Sequence, residues 1–112
     1  ILGLASVRDL EGVMRAPVDP LRFRANLHVE GLAPWAEFDW VGREVAIGGA
    51  RLRVTRRLRR CAATDVDPSS GARDLAVPLA LRQAYGHADC GVYAEVLEGG
   101  TIALGDAVAV AG

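Results

Sequence analysis

Glu44-Val45-Ala46-Ile47-Gly48-Gly49-Ala50-Arg51-Leu52-Arg53-Val54-Thr55 is the stretch that decides the fold. Val45 and Ile47 alternate with Glu44 and Ala46, and Leu52 and Val54 alternate with Arg51, Arg53 and Thr55. A period of two puts one set of side chains on a buried face and the other in water. Gly48-Gly49 between the runs tolerates positive φ, so the stretch reads as a β-hairpin. The second strand continues through Arg56 to Arg60 and ends at Cys61.

The same punctuation recurs downstream. Asp67-Pro68-Ser69-Ser70-Gly71 reads as a turn, and Pro78 to Tyr85 as a short helix stopped by Gly86 at its C-cap. Gly91–Leu97 reads as a strand, Gly99-Gly100 as a turn, Thr101–Leu104 as a short strand and Ala107–Val110 as the last strand. Upstream, Ser6 reads as a helix N-cap, with Asp9 approximating a capping box. Val7, Leu10, Val13 and Met14 follow at helical spacing, and Pro17 and Pro20 end the helix by about Arg15. Leu21–Glu30 reads as a strand, and Pro34–Trp40 as an aromatic loop or single turn. Short strands between glycine turns, with two short helices inserted, predict a mainly β protein built as a barrel.

The chain has 112 residues, 51% of them apolar, with a formal net charge of −1. That is one ordinary domain with enough apolar content for a modest core. The near-neutral balance argues against a dedicated nucleic-acid or membrane-surface protein. No apolar run approaches the roughly 18 residues of a transmembrane helix, and no signal-peptide pattern opens the chain. Cys61 and Cys90 fit neither a secreted disulfide framework nor zinc spacing, so two free thiols in a cytoplasmic setting are expected. The opening Ile1-Leu2-Gly3, without an initiator methionine, suggests the C-terminal portion of a longer domain.

All thirteen basic residues are arginine. Six of them, Arg51, Arg53, Arg56, Arg57, Arg59 and Arg60, lie between Val45 and Thr64 with no acid among them. They read either as a solvated strand face or as an anion pocket at the strand end. In the second case Cys61 has its thiolate stabilised, which suits a nucleophile or a metal ligand. Arg22, Arg24 and Asn26 alternate on one face of the Leu21–Glu30 strand, presenting guanidinium and amide donors to a phosphate or a heterocycle edge. Asp65 and Asp67 read as turn chemistry before acid–base chemistry. His87, Asp89 and Cys90 read as a structural loop with too few ligands for a metal, and His28 as a lone, partly buried histidine.

Taken together, Arg22-Phe23-Arg24-Ala25-Asn26-Leu27, Trp35-Ala36-Glu37, Trp40-Val41-Gly42 and Ile47-Gly48-Gly49 resemble the MOSC domain, the C-terminal domain of molybdenum cofactor sulfurases. Arg60-Cys61-Ala62-Ala63-Thr64-Asp65-Val66-Asp67-Pro68, followed by Gly71, resembles the family's cysteine motif. Gly91–Val96, Gly100-Thr101-Ile102 and Gly105-Asp106 resemble its closing strands. The likeness runs from about Ser6 to the end, and Cys90 stands where the family usually has an aromatic or small residue.

The resemblance implies a mostly β, barrel-like fold with two or more short inserted helices, here lacking the strands that normally come first. It implies a molybdenum cofactor (Mo-pterin), with Cys61 as catalytic thiolate and metal ligand. Arg24 and Asn26 would hold the pterin, with Thr64, Arg22 and Arg60 beside them. It further implies an oxidoreductase acting on small N-hydroxylated substrates, served by a separate electron-donor protein because no iron–sulfur cysteine cluster is present. Two alternatives stay open. One is a sulfur or cofactor carrier in which Cys61 takes persulfide from a sulfur-donor protein, a role that also carries pyridoxal phosphate binding as an expectation. The other is a non-enzymatic module whose arginine strand holds nucleic acid or an acidic partner, with steep salt dependence and indifference to Cys61. Neither a nucleic acid nor a membrane is the expected partner.

Overall fold

The computed structural model describes residues 1–111. The hairpin forms as the alternation dictates. Strands β3 (Glu44–Ile47) and β4 (Ala50–Arg59) pair antiparallel, with Val45 opposite Leu52 and Ile47 opposite Ala50. Val45, Ile47, Leu52 and Val54 are buried, whereas Ala46, Arg53 and Thr55 are exposed. Strand β5 (Asp89–Glu98) joins the far edge of β4, and β6 (Val108–Val110) joins β3, giving the sheet order β5-β4-β3-β6.

A second, parallel pair consists of β1 (Leu2–Gly3) and β2 (His28–Val29). Ile1 ties it to the main sheet by exchanging both backbone hydrogen bonds with Val92. The fold is mainly β around two helices, α1 (Leu4–Met14) and α2 (Val77–Tyr85). Among the described residues the sheet stays open rather than closing into a barrel.

The helices and the sheet have separate cores. Leu2, Val7, Leu10, Phe23, Val77, Leu81 and Cys90 pack beneath the helices. Val29, Trp40, Val45, Ile47, Leu52, Val54 and Val92 pack on the sheet. Helix α2 ends at Gly86, whose φ of 77° places it in the left-handed region, as its sequence predicts.

Four expectations require correction. Ser6 does not cap α1, whose N-cap is Gly3. It lies inside the helix and donates its hydroxyl to the buried Glu37 carboxylate, while Asp9 accepts from Tyr85 Oη and Trp35 Nε1. Leu21–Glu30 is not one strand. Pro20–Phe23 forms a 3-10 turn opened by an Asp19 cap, and only His28–Val29 is extended. Proline preorganises a turn start, and a side-chain acceptor at the cap outcompetes a weak alternation. Thr101–Leu104 makes no strand, because Gly49 and Gly100 bring that connection so close to the hairpin that a Cβ on Gly100 would overlap the Gly49 carbonyl. His28 is exposed rather than partly buried.

Glu37, which the sequence places in an aromatic turn, is fully buried. One carboxylate oxygen accepts from Ser6, and the other has no partner. Burial holds this carboxyl above the ordinary range despite the Ser6 hydrogen bond. The folded state therefore keeps a proton where the unfolded chain releases its own. The stability that results is fully present below the ordinary carboxylate range and is lost as pH rises through the raised value. Urea midpoints measured across that interval should fall with pH in the unsubstituted protein and fall less in Glu37→Gln. Gly3→Ala, whose Cβ would occupy the space of the unpartnered Glu37 oxygen, should lower stability by about 1–3 kcal/mol in the same assay.

Candidate functional site

Strand β4 carries its alternation only as far as Val54. Val54 faces Ala94 and Arg56 faces Tyr93, so β4 has one extra residue; Arg57 faces Val92 and Arg59 faces Asp89, so β5 has one extra. These bulges re-aim the arginines at the strand end. Arg57 stacks on Phe38 with its guanidinium carbon 4.0 Å from the ring centroid and pairs with Asp89 at 3.1 Å. Arg56 lies over Tyr93 at 4.5 Å. Arg51 and Arg53 pair with Glu44, and Arg51 also reaches Glu98. Half of the six-arginine run is thus occupied by acids on neighbouring strands.

Arg60 turns inward. Its Nε donates to the Cys90 carbonyl at 2.8 Å, its Nη1 to the Phe23 carbonyl at 2.8 Å, and its plane lies over the Phe23 ring. Nη2 is buried with no partner among the described residues. Burial lowers the Arg60 pKa from its usual value, so the cation is desolvated and short of one acceptor. Gly91, at φ 78°, makes room for it: a Cβ there would stand 3.1 Å from Nη2 and 2.9 Å from the Ile1 carbonyl.

Arg24, Asn26 and Arg60 line one cavity of about 400 Å³. Leu52, Leu58, Val92, Ala94 and Val96 form its apolar wall. Arg24 and Asn26 reach it by a route different from the alternation read in the sequence. Arg24 follows the 3-10 turn at φ 50° and ψ 36°, a left-handed conformation uncommon outside glycine. Arg22, two residues earlier, points the other way. Its side chain is buried, makes a two-pronged contact with Asp74 at 2.8 and 2.9 Å, and donates to the Thr64 carbonyl at 3.3 Å. The expectation that Arg22, Arg24 and Asn26 share a face therefore fails, because the segment is a turn and not a strand.

Cys61 follows Arg60 directly and is exposed with a free thiol. It opens a 3-10 turn, Ala62–Asp65, in which Thr64 donates to the Cys61 carbonyl from both its amide and its hydroxyl. Asp65 Oδ1 accepts the Val77 amide at the start of α2, and Asp67 Oδ1 accepts the Ser69 amide. Both aspartates are thus turn-fixing residues, as expected. Cys90 is buried, and burial pushes its thiol up to about 12. His87 Nδ1 accepts the Asp89 amide, and among the described residues no three His, Cys, Asp or Glu side chains gather as a metal site. A metal at Cys61 would have one ligand from this chain and the rest from a cofactor. The single soft sulfur of Cys61, the arginine–asparagine cavity and the unpartnered Arg60 Nη2 fit an anionic, sulfur-bearing metal cofactor. Pyridoxal phosphate fits less well, since the chain has no lysine to anchor it covalently. Asp74 carries no signal of its own in the sequence, and Gly91 reads there only as the start of a strand; its positive φ is the kind of feature that a glycine flanked by apolar strand residues can mark.

Comparison with known proteins adds the following. A family profile for the MOSC domain matches residues 1–109. Mitochondrial amidoxime-reducing component 1 of Mus musculus is 32% identical, and that of Homo sapiens 31%, each across all of this chain and 36% of its own length. Mitochondrial amidoxime reducing component 2 of Bos taurus is 31% identical over 96% of the chain. The chain thus spans about a third of the length of these relatives. In three dimensions it is similar to YiiM from Geobacillus stearothermophilus, with a TM-score of 0.72 at 20% identity, covering 99% of this chain and 52% of that one.

The two arginines of the Arg22–Arg24 segment should separate in a stability assay. Arg22→Ala leaves Asp74 and the Thr64 carbonyl without their donor and should cost on the order of 3 kcal/mol in urea unfolding. Arg24→Ala, at an exposed position, should stay within about 0.5 kcal/mol.

Proposed function

The chain belongs to the MOSC domain family, and from that premise we propose that it binds a molybdenum cofactor beside Cys61, as part of an oxidoreductase acting on N-hydroxylated compounds. The observation that carries this reading is the convergence of Arg24, Asn26 and Arg60 on one cavity, with Cys61 the next residue along the chain. Arg24 and Arg60 supply charge-assisted donors for the phosphate of the cofactor, and Asn26 supplies an amide able to donate to and accept from a pterin edge. The desolvated Arg60 Nη2 gains the acceptor that it lacks. Cys61 provides the thiolate ligand. Thr64 holds the Cys61 carbonyl, so the backbone that presents the sulfur is ordered before any ligand arrives.

The cofactor, when bound, supplies the two-electron chemistry at its metal. The relatives are named for amidoxime reduction, and amidoximes are N-hydroxylated compounds. The chain has no cluster of cysteines for iron–sulfur electron transfer. Electrons would therefore reach the site from a donor outside these residues. The exposure of Cys61 also favours a second reading, in which its thiol accepts persulfide sulfur from a donor protein; the buried, high-pKa Cys90 would take no part.

Protein prepared from a host that makes molybdenum cofactor should carry molybdenum and pterin in equal amounts, and Cys61→Ala should lower both at least about tenfold. Metal retained in full by Cys61→Ala would remove Cys61 from the site. Absence of metal from both, with sulfane sulfur on Cys61 after incubation with a cysteine desulfurase, would support the carrier instead.

A further inference from the structure

We propose that Asp74 is a positioning residue for Cys61, acting through Arg22. This rests on Cys61 being the functional thiol, but on none of the chemistry assigned to it. Asp74 lies in the connection between the Cys61 turn and α2, well outside the cavity. Its carboxylate holds both prongs of its contact on Arg22 Nη2, at 2.8 and 2.9 Å. Arg22 Nη1 then donates to the carbonyl of Thr64, and the Thr64 amide and hydroxyl donate to the carbonyl of Cys61. The chain of contacts runs without a gap from an exposed carboxylate to the backbone of the cysteine.

Its members differ in burial, and that gives it direction. The Arg22 side chain is 4% exposed, while that of Asp74 is 43% exposed. A buried guanidinium needs its carboxylate, and its Nε already lacks a partner. Arg22 therefore stays aligned on Thr64 only while the Asp74 carboxylate is in place. The same segment is fixed a second time, because the Asp65 carbonyl accepts the amides of Asp74 and Leu75. Motion of Asp74 is thus transmitted to the Cys61 turn by both side chain and backbone. Two bends, Pro20–Phe23 and Ala62–Asp65, are joined by the Arg22–Thr64 hydrogen bond that this ion pair aligns, which helps to keep the stretch bearing Arg24 and Asn26 against the turn bearing Cys61.

The test is a nitroxide spin label on Cys61, read at 20 °C in the full chain; Cys90 is buried and stays unlabelled. Asp74→Asn should add a motionally narrowed component on the nanosecond timescale. Asp74→Glu, which keeps the charge, should restore the spectrum of the unsubstituted protein. If Asp74→Asn fails to fold, the pair Arg22→Met with Asp74→Leu removes both charges, leaves Thr64 without its donor, and should show the narrowed component as well. A purely stabilising role would lower the melting temperature and leave the 20 °C spectrum unchanged, and an Asp74→Asn spectrum superimposable on the unsubstituted one overturns the proposal. In cofactor-loaded protein, Asp74→Asn should retain roughly tenfold less molybdenum. Absence of molybdenum from the unsubstituted protein would count against the proposed function, while the label spectra would still decide the role of Asp74.

Discussion

Arg60 is the side chain on which this architecture depends. It sits where β4 ends, and its two hydrogen bonds reach the Cys90 carbonyl on β5 and the Phe23 carbonyl at the end of a 3-10 turn. One planar cation therefore joins the sheet, the helical core and the segment that carries Arg24 and Asn26. Lysine, a point donor on a flexible stem, would not span two carbonyls in fixed directions while stacking on Phe23. The surroundings are shaped to admit it: β5 bulges at Cys90-Gly91, Gly91 omits a Cβ, and Ile1 completes the edge by pairing with Val92. What this arrangement leaves over is a buried N–H without an acceptor at the wall of an arginine-lined cavity. In a folded interior that is a costly condition, and the most direct account of it is a ligand that brings the acceptor.

The same constraint explains why Cys61 is exposed and Cys90 is buried, although both thiols are free. Cys90 faces the helical core and is sealed by it, whereas Cys61 lies one residue beyond the point where Arg60 turns inward, so the chain leaves the sheet and the thiol faces out. Position relative to one anchoring cation, and not the local density of arginines, separates the two. Of the six arginines near Cys61, Arg51, Arg53 and Arg57 are matched by acids on adjacent strands.

Much of the fold was legible because it rests on local rules. The β3–β4 hairpin follows from alternation around Gly48-Gly49, α2 from its periodicity and Gly86, and β5 from its apolar run. The failures have two causes. In Leu21–Glu30 a local one, the Asp19 cap two residues away together with Pro20, wins over an alternation of only a few residues. In Thr101–Leu104 a glycine-to-glycine approach to the hairpin, distant in sequence, replaces strand pairing. At the site, Cys61, Thr64, Arg24, Asn26 and Arg60 were legible from type and order, but not their division of labour. Nothing local distinguishes Arg22, which turns to Asp74, from Arg24, which turns to the cavity; a left-handed backbone at Arg24 decides it. Asp74, Gly91 and the buried state of Glu37 become visible only when the elements are packed.

The central claim is that this cavity is a cofactor site and that the sulfur of Cys61, one residue beyond Arg60, is a metal ligand. The most direct test is X-ray absorption at the molybdenum edge of cofactor-loaded protein, comparing the unsubstituted chain with Cys61→Ser. The account predicts one fewer sulfur neighbour around molybdenum in the variant, with the remaining shell unchanged. An identical sulfur count in the two proteins would contradict it.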